Sequence, residues 1–461
     1  MSTSCRRLRS AHCTIWLRCA ALLRSSIHNH YLGIPNSYKK PAGLPHIGPP
    51  ENDVSFRRII VGHRLTALVL SSVVVVACST LSTEAAPDGD VFDGPLDGLT
   101  SAELTAFARG DAEFERRFAP STGLGPIFNN ASCASCHSGD GRGVLDNALR
   151  RIGGADDDFL RAVGGPQIQD KAIHGAEAER IPSGVAVSTR LPPPVFGVGL
   201  IESISVQTIL ANADSGDRDG DGISGRPNWV HAGSFVPRSE PGGADGLQLG
   251  RFGRKGQTSS LLQQVTEAYL QDMGITSEFL PSENRNPLSS VPIEAVDHVG
   301  DPEIPAAVVQ AVTHYIRSLA PPAPGEDTKS RTEGRALFQQ VNCASCHVPV
   351  MRSGVSVIPA LSNREVELFS DLLLHDMGDE LADNRADGSA SGREWKTPPL
   401  WGLRLMRKFL NGQVLLMHDG RARSFEEAIL LHGGEADRSR KAFQALTHEQ
   451  RRALLDYVES R

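Results

Sequence analysis

The sequence predicts a mainly α protein with long loops, built as two units of one plan related by internal duplication. Three observations predict it. Two identical Cys-Ala-Ser-Cys-His runs stand at Cys133–His137 and Cys343–His347. An amphipathic stretch precedes each, Ser101 to Phe118 and Ser330 to Val341. A helical pattern bearing a tyrosine closes each unit, Ile304–Leu319 with Tyr315 and Thr447–Glu459 with Tyr457. Spacing of this kind alone is common; its recurrence around the same five-residue run is what gives it weight. A shared Pro-Pro-apolar-aromatic-Gly element, Pro193–Gly197 and Pro398–Gly402, adds to the repeat.

Length and composition agree with a multidomain globular chain. The chain has 461 residues, 40% hydrophobic and 22% charged, enough for more than one core. Its net charge of −7 gives no reason to expect a nucleic-acid partner, because that needs clustered positive charge. Aromatic residues are only 5%, so a flat apolar cofactor would supply core surface the side chains lack. The Pro-rich run Ala320–Gly325 ends the first closing helix and links the units.

The Cys-x-x-Cys-His run is the haem-attachment pattern. Two thiols add to the haem vinyl groups, and the adjacent His reaches the iron as an axial ligand. Zinc sites place their Cys pairs roughly 15–20 residues apart, whereas here the pairs lie 210 positions apart and each has its own His. Two covalent haems c are therefore expected, held by Cys133, Cys136 and His137, and by Cys343, Cys346 and His347. The units then read as cytochrome-c-like domains over 98–320 and 321–461.

Covalent haem attachment requires export, and an independent signal for export is present. Arg57 and Arg58 begin a basic region, Leu65 to Ala77 is apolar, and Cys78 ends the run. It is too short to span a membrane but suits a signal peptide. Val75-Val76-Ala77-Cys78 reads as a lipobox, with Cys78 lipidated as the mature N-terminus. Residues 54–78 are thus expected to be a lipoprotein signal, 79–97 a linker, and 1–53 an upstream mis-start or a disordered extension. The expected location is the periplasm, with a lipid anchor in the bacterial membrane, the outer membrane by virtue of Ser79.

Longer runs carry a resemblance. They are Pro192–Ile204, Asp219–Asn228, Gly250–Gly256, Asp272–Ser277, Leu368–Asn384, Trp395–Leu403 and Met417–Ala436. Together they resemble the bacterial di-haem oxidoreductase family, related to the di-haem cytochrome c peroxidases, over about residues 98–461. The resemblance implies that one haem collects electrons from a periplasmic donor and the other reduces peroxide or another small oxidant. The N-terminal haem would be the peroxidatic one. In the peroxidases a His-Asp-Gly run precedes a short helix that supplies a distal ligand, usually Met. Here His418-Asp419-Gly420 matches and the ligand position falls on His432, which implies a bis-histidine second haem, His347 with His432.

For the first haem the resemblance leaves the sixth position open. Met273 is the leading candidate, with Tyr269 and His174 as alternatives. Gln264 and Asp272 lie where the peroxidases keep acid–base groups. His375 matches a segment near the second haem, and Trp395 and Trp401 are candidates for the space between the haems. Separately, Asp217, Asp219 and Asp221 alternate around a Gly like the first half of an EF-hand loop. The twelfth position is Asn228 rather than Glu, so a calcium site there lacks its bidentate ligand. A non-enzymatic electron-transfer cytochrome, accessory to iron handling, is the alternative to peroxide reduction.

Overall fold

The computed structural model describes residues 92–153, 157–238 and 242–461, all within one compact unit. The signal segment, Cys78 and most of the linker lie outside the described residues. Among these, strands occur only as two-stranded antiparallel pairs, and no helix is long and apolar enough to cross a membrane.

The helices begin where the sequence offers caps. Helix α1, Ser101–Glu115, starts at Thr100, whose hydroxyl accepts from the Glu103 N–H while the Glu103 carboxylate accepts from the Thr100 N–H. Helix α2, Leu261–Met273, is capped by Ser260 and ends at Gly274, where φ is +67°. Helix α3 is Ala306–Ser318 and helix α4 is Lys329–Gln340. The short helix α5, Phe425–Leu430, follows the His-Asp-Gly run. Helix α6, His448–Glu459, closes the chain behind a Thr447–Gln450 capping box.

The two cysteine motifs are framed in the same way. Helix α1 packs on α3, and α4 packs on α6. At the first crossing a Cβ on Gly110 would stand 2.2 Å from the Ala311 carbonyl oxygen and 2.6 Å from Tyr315 Cβ. At the second, a Cβ on Gly334 would stand 2.1 Å from the Ala453 carbonyl oxygen and 2.6 Å from Tyr457 Cβ. A glycine inside a helix costs roughly 0.5–1 kcal/mol relative to alanine; here it lets two backbones approach where no side chain fits. Both closing tyrosines sit over these contacts.

The two Pro-Pro-apolar-aromatic-Gly elements pack on each other reciprocally. Trp401 lies over Gly197 and Phe196 lies over Gly402, leaving no room for a Cβ at either glycine. Both glycines also hold positive φ, +71° and +76°. This contact brings the two elements together, and the largest core runs across it, from Phe114 and Tyr315 to Leu361, Leu373 and Trp401.

Two strand pairs matter for the site. Strand β1, Leu149–Ile152, pairs with β2, Val187–Arg190. Strand β3, Leu374–Asp376, pairs with β4, Glu394–Lys396, in a register that sets His375 opposite Trp395.

Candidate functional site

Both cysteine motifs open on one cavity. Cys133, Cys136 and His137 line it from one side, and Cys343, Cys346 and His347 from the other. The first motif makes one helical turn, Cys133–Cys136, capped by Ser132. The second makes a tighter turn after Asn342, whose φ is +65°. Burial pushes the Cys136 thiol up to about 11 and the Cys343 thiol up to about 12. Thiols held protonated in this way are poor redox dithiols, which need a thiolate.

The histidines are set up as neutral donors. Burial brings His347 down to about 4. Its Nδ1 donates to the Phe369 carbonyl at 2.9 Å, which leaves the Nε2 lone pair for a metal. Phe369 itself holds φ at +56°, a strained conformation for an aromatic residue that aims its carbonyl at the ring. Burial also brings His137 down to about 4, against the carbonyls of Pro193 and Gly141.

His432 lies just past α5 and lines the same cavity. Its Nδ1 donates to the Ala428 carbonyl, one turn back, at 2.7 Å. The same hydrogen bond satisfies the helix end and leaves Nε2 unengaged. Burial lowers its pKa, and its ring is close enough to His347 to disfavour protonation there. The donor set thus fits two haems: paired thiols and a neutral imidazole at each motif, with a second neutral imidazole near one of them.

At the other motif α2 presents Gln264, Ala268 and Asp272 to the cavity, spaced by four so that they share a helix face. The Gln264 side-chain oxygen is buried with no hydrogen-bond partner. Asp272 accepts from Gln167 Nε2 at 2.5 Å, and burial raises it to about 6. Met273 is also in the cavity wall and is 2% exposed. Of the alternatives for this position, His174 is exposed, and Tyr269 packs edge-on against Phe118 in the core.

His375 has both ring nitrogens engaged. Nε2 meets Asp371 and Nδ1 meets Glu435, each at 2.8 Å. Burial opposes its charge, but hydrogen bonds with Asp371, Cys346 and Glu435 outweigh it and hold the ring protonated. Neither nitrogen is open to iron. Asp371 and Glu435 escaped the sequence reading; the only local signal was the spacing of four between Asp371 and His375. Trp395 and Trp401 both line the cavity. Trp395 stacks on His418 with ring centroids 3.7 Å apart, and its indole N–H donates to the Leu381 carbonyl.

The acidic loop lies apart from these groups. One carboxylate oxygen each from Asp217, Asp219 and Asp221 fall within 4.8 Å of one another. Asn228 turns away from them: it is 2% exposed and donates to the carbonyls of Lys255 and Asp387.

No curated protein matches the chain. Among solved structures it is similar to hydrazine synthase of Kuenenia stuttgartiensis pressurised with xenon, at 16% identity and a TM-score of 0.34, covering 83% of this chain and 98% of that one. It is also similar to a MauG-like protein associated with microbial copper homeostasis, at 16% identity and a TM-score of 0.27, covering 58% and 87%. Residues 74–158 and 168–461 match the family described as "Di-haem oxidoreductase, putative peroxidase". That match takes in both cysteine motifs and the cavity they share, and the protein belongs to the di-haem oxidoreductase family.

Proposed function

We propose that the protein is a c-type di-haem cytochrome that reduces peroxide at the haem anchored by Cys133 and Cys136, with electrons entering through the haem anchored by Cys343 and Cys346. The observation that carries this reading is the asymmetry of the cavity. His347 and His432 would both be available to hold the second haem's iron, whereas the α2 face offers the first a carboxylate and an unpartnered amide oxygen. Bound haem supplies the redox centre. Asp272 takes a proton from one peroxide oxygen and delivers it to the other as the O–O bond breaks. Gln264 holds the peroxide by accepting a hydrogen bond. One peroxide, two electrons from a periplasmic donor and two protons from solvent become two waters.

The matching glycine contacts at Gly110 and Gly334 support two duplicated cytochrome-c-like domains, 98–320 and 321–461. Cys78 as a lipid anchor in the periplasm, on the outer membrane, belongs to the same reading. A second reading rests on Met273: a thioether filling the sixth position of the first haem would leave an electron carrier.

Spectroscopy of the purified protein separates the two. In the half-reduced state, a high-spin first haem that changes on peroxide addition is expected for the enzyme; two low-spin haems indifferent to peroxide would overturn it. Mass spectrometry on the same preparation should find two haem adducts and an N-terminal lipid on Cys78. Asp217, Asp219 and Asp221 are proposed to hold one Ca²⁺. Calorimetric titration should then show one binding event that Asp219→Asn abolishes, and a flat titration would remove the ion.

A further inference from the structure

Buried cations in this fold are generally matched by carboxylates. Lys255 is 0% exposed and its ammonium meets Asp383 at 2.7 Å. Arg190 meets Asp387 at 2.6 Å, and Arg385 and Arg151 also pair with Asp387. Such pairing is what low-dielectric surroundings demand, since an isolated charge there is costly.

Three cations in the cavity wall break the pattern. Arg142 spends one guanidinium nitrogen on the Leu415 carbonyl, and its Nε is buried with no partner. Arg254 donates twice to the Leu191 carbonyl, at 3.1 and 2.7 Å. Lys396 is 9% exposed, and its backbone N–H donates to the Arg254 carbonyl, so these two cations are neighbours. All three line the cavity. Among the described residues, no carboxylate lies within 4.0 Å of any of them. Burial brings Arg142 down to about 10 and Lys396 down to about 8, and holds Arg254 well below its usual value, with Arg142 adding to the effect.

Three like charges gathered at one wall outside any salt bridge, with Asp419 and Asp371 acting on Arg254 and Lys396 only from beyond ion-pair range, call for anions from outside the chain. We propose that Arg142, Arg254 and Lys396 form the carboxylate-binding wall of the cavity and pair with the haem propionates. The inference rests on the haem reading above. It makes these three residues positioning groups: they hold the edge of the cofactor and favour the ferrous state by adding positive charge beside it.

The test is spectroelectrochemical titration of the holoprotein carrying Lys396→Met, and separately Arg254→Met, with haem content measured by pyridine haemochrome. Removing one cation should shift the reduction equilibrium of at least one haem toward ferric by roughly tenfold, about 59 mV for a one-electron couple. Lys396→Arg should keep the parent potential, and added acetate should not move it. If Arg254→Met does not mature, Lys396→Met carries the test. Unchanged potentials in the Met variants would overturn the proposal. Parent potentials that move with added acetate would also overturn it, assigning the wall to a solution anion. A parent chain that attaches no haem would sink the haem reading itself, and the haemochrome assay tells that failure from the others.

Discussion

Replacing Asp272 by Asn is expected to lower peroxide turnover by roughly 10²–10⁴-fold, the range a positioned acid–base group contributes. Asn has nearly the same shape, and its amide oxygen can still accept from Gln167 Nε2, the bond that now holds Asp272. What it loses is the capacity to take and return a proton. Burial raises the Asp272 carboxyl to about 6, so the group sits where proton uptake and release are both accessible near neutral pH. Haem content and the resting absorption spectrum should stay those of the parent protein. Turnover within a factor of about two of the parent would remove Asp272 from the chemistry and leave Gln264 without its partner in that role.

The second large effect is expected at His432. His432→Met should raise the reduction potential of the second haem by on the order of 0.1 V, because axial ligands set haem potentials over a range of about 0.8 V and thioether favours the ferrous state. The variant keeps a side chain of similar length at the end of α5. It loses the Nδ1 hydrogen bond to the Ala428 carbonyl, a modest cost of roughly 0.5–1.5 kcal/mol. Electron paramagnetic resonance should change from the bis-imidazole to the imidazole–thioether type. An unchanged spectrum and potential would show that His432 serves only as a helix cap. His375 is the informative control. Both its nitrogens are held by carboxylates, so His375→Asn should leave the ligation signature intact.

Much of the helical frame was legible in the sequence, for local reasons. The stretch read from Ser101 to Phe118 is a helix over Ser101–Glu115, started by the Thr100–Glu103 capping box. The pattern running from Ser260 is a helix over Leu261–Met273, with Ser260 as its cap and Gly274 as its stop. Caps, glycine stops and apolar spacing act within one or two turns, so neighbouring residues specify them. Repeated elements such as Pro193–Gly197 and Pro398–Gly402 were also visible, but their purpose was not. That Phe196 covers Gly402 while Trp401 covers Gly197 depends on two segments some two hundred residues apart meeting in space.

The same division runs through the site. By itself the sequence determined the donor types: two thiols and an imidazole at each Cys-x-x-Cys-His run, and a histidine at the position after α5. Covalent order is enough for that, because the two cysteines and the histidine of each run are contiguous in the chain. Only the tertiary structure decided which groups share a cavity and in what state. It brought Gln264 and Asp272 to one wall, occupied both nitrogens of His375 with Asp371 and Glu435, and left Arg142, Arg254 and Lys396 outside any salt bridge. The physical reason is that burial and pairing are properties of the folded surroundings. The same lysine type is neutralised by Asp383 at position 255 and left to face the cavity at position 396, a difference that no local pattern encodes.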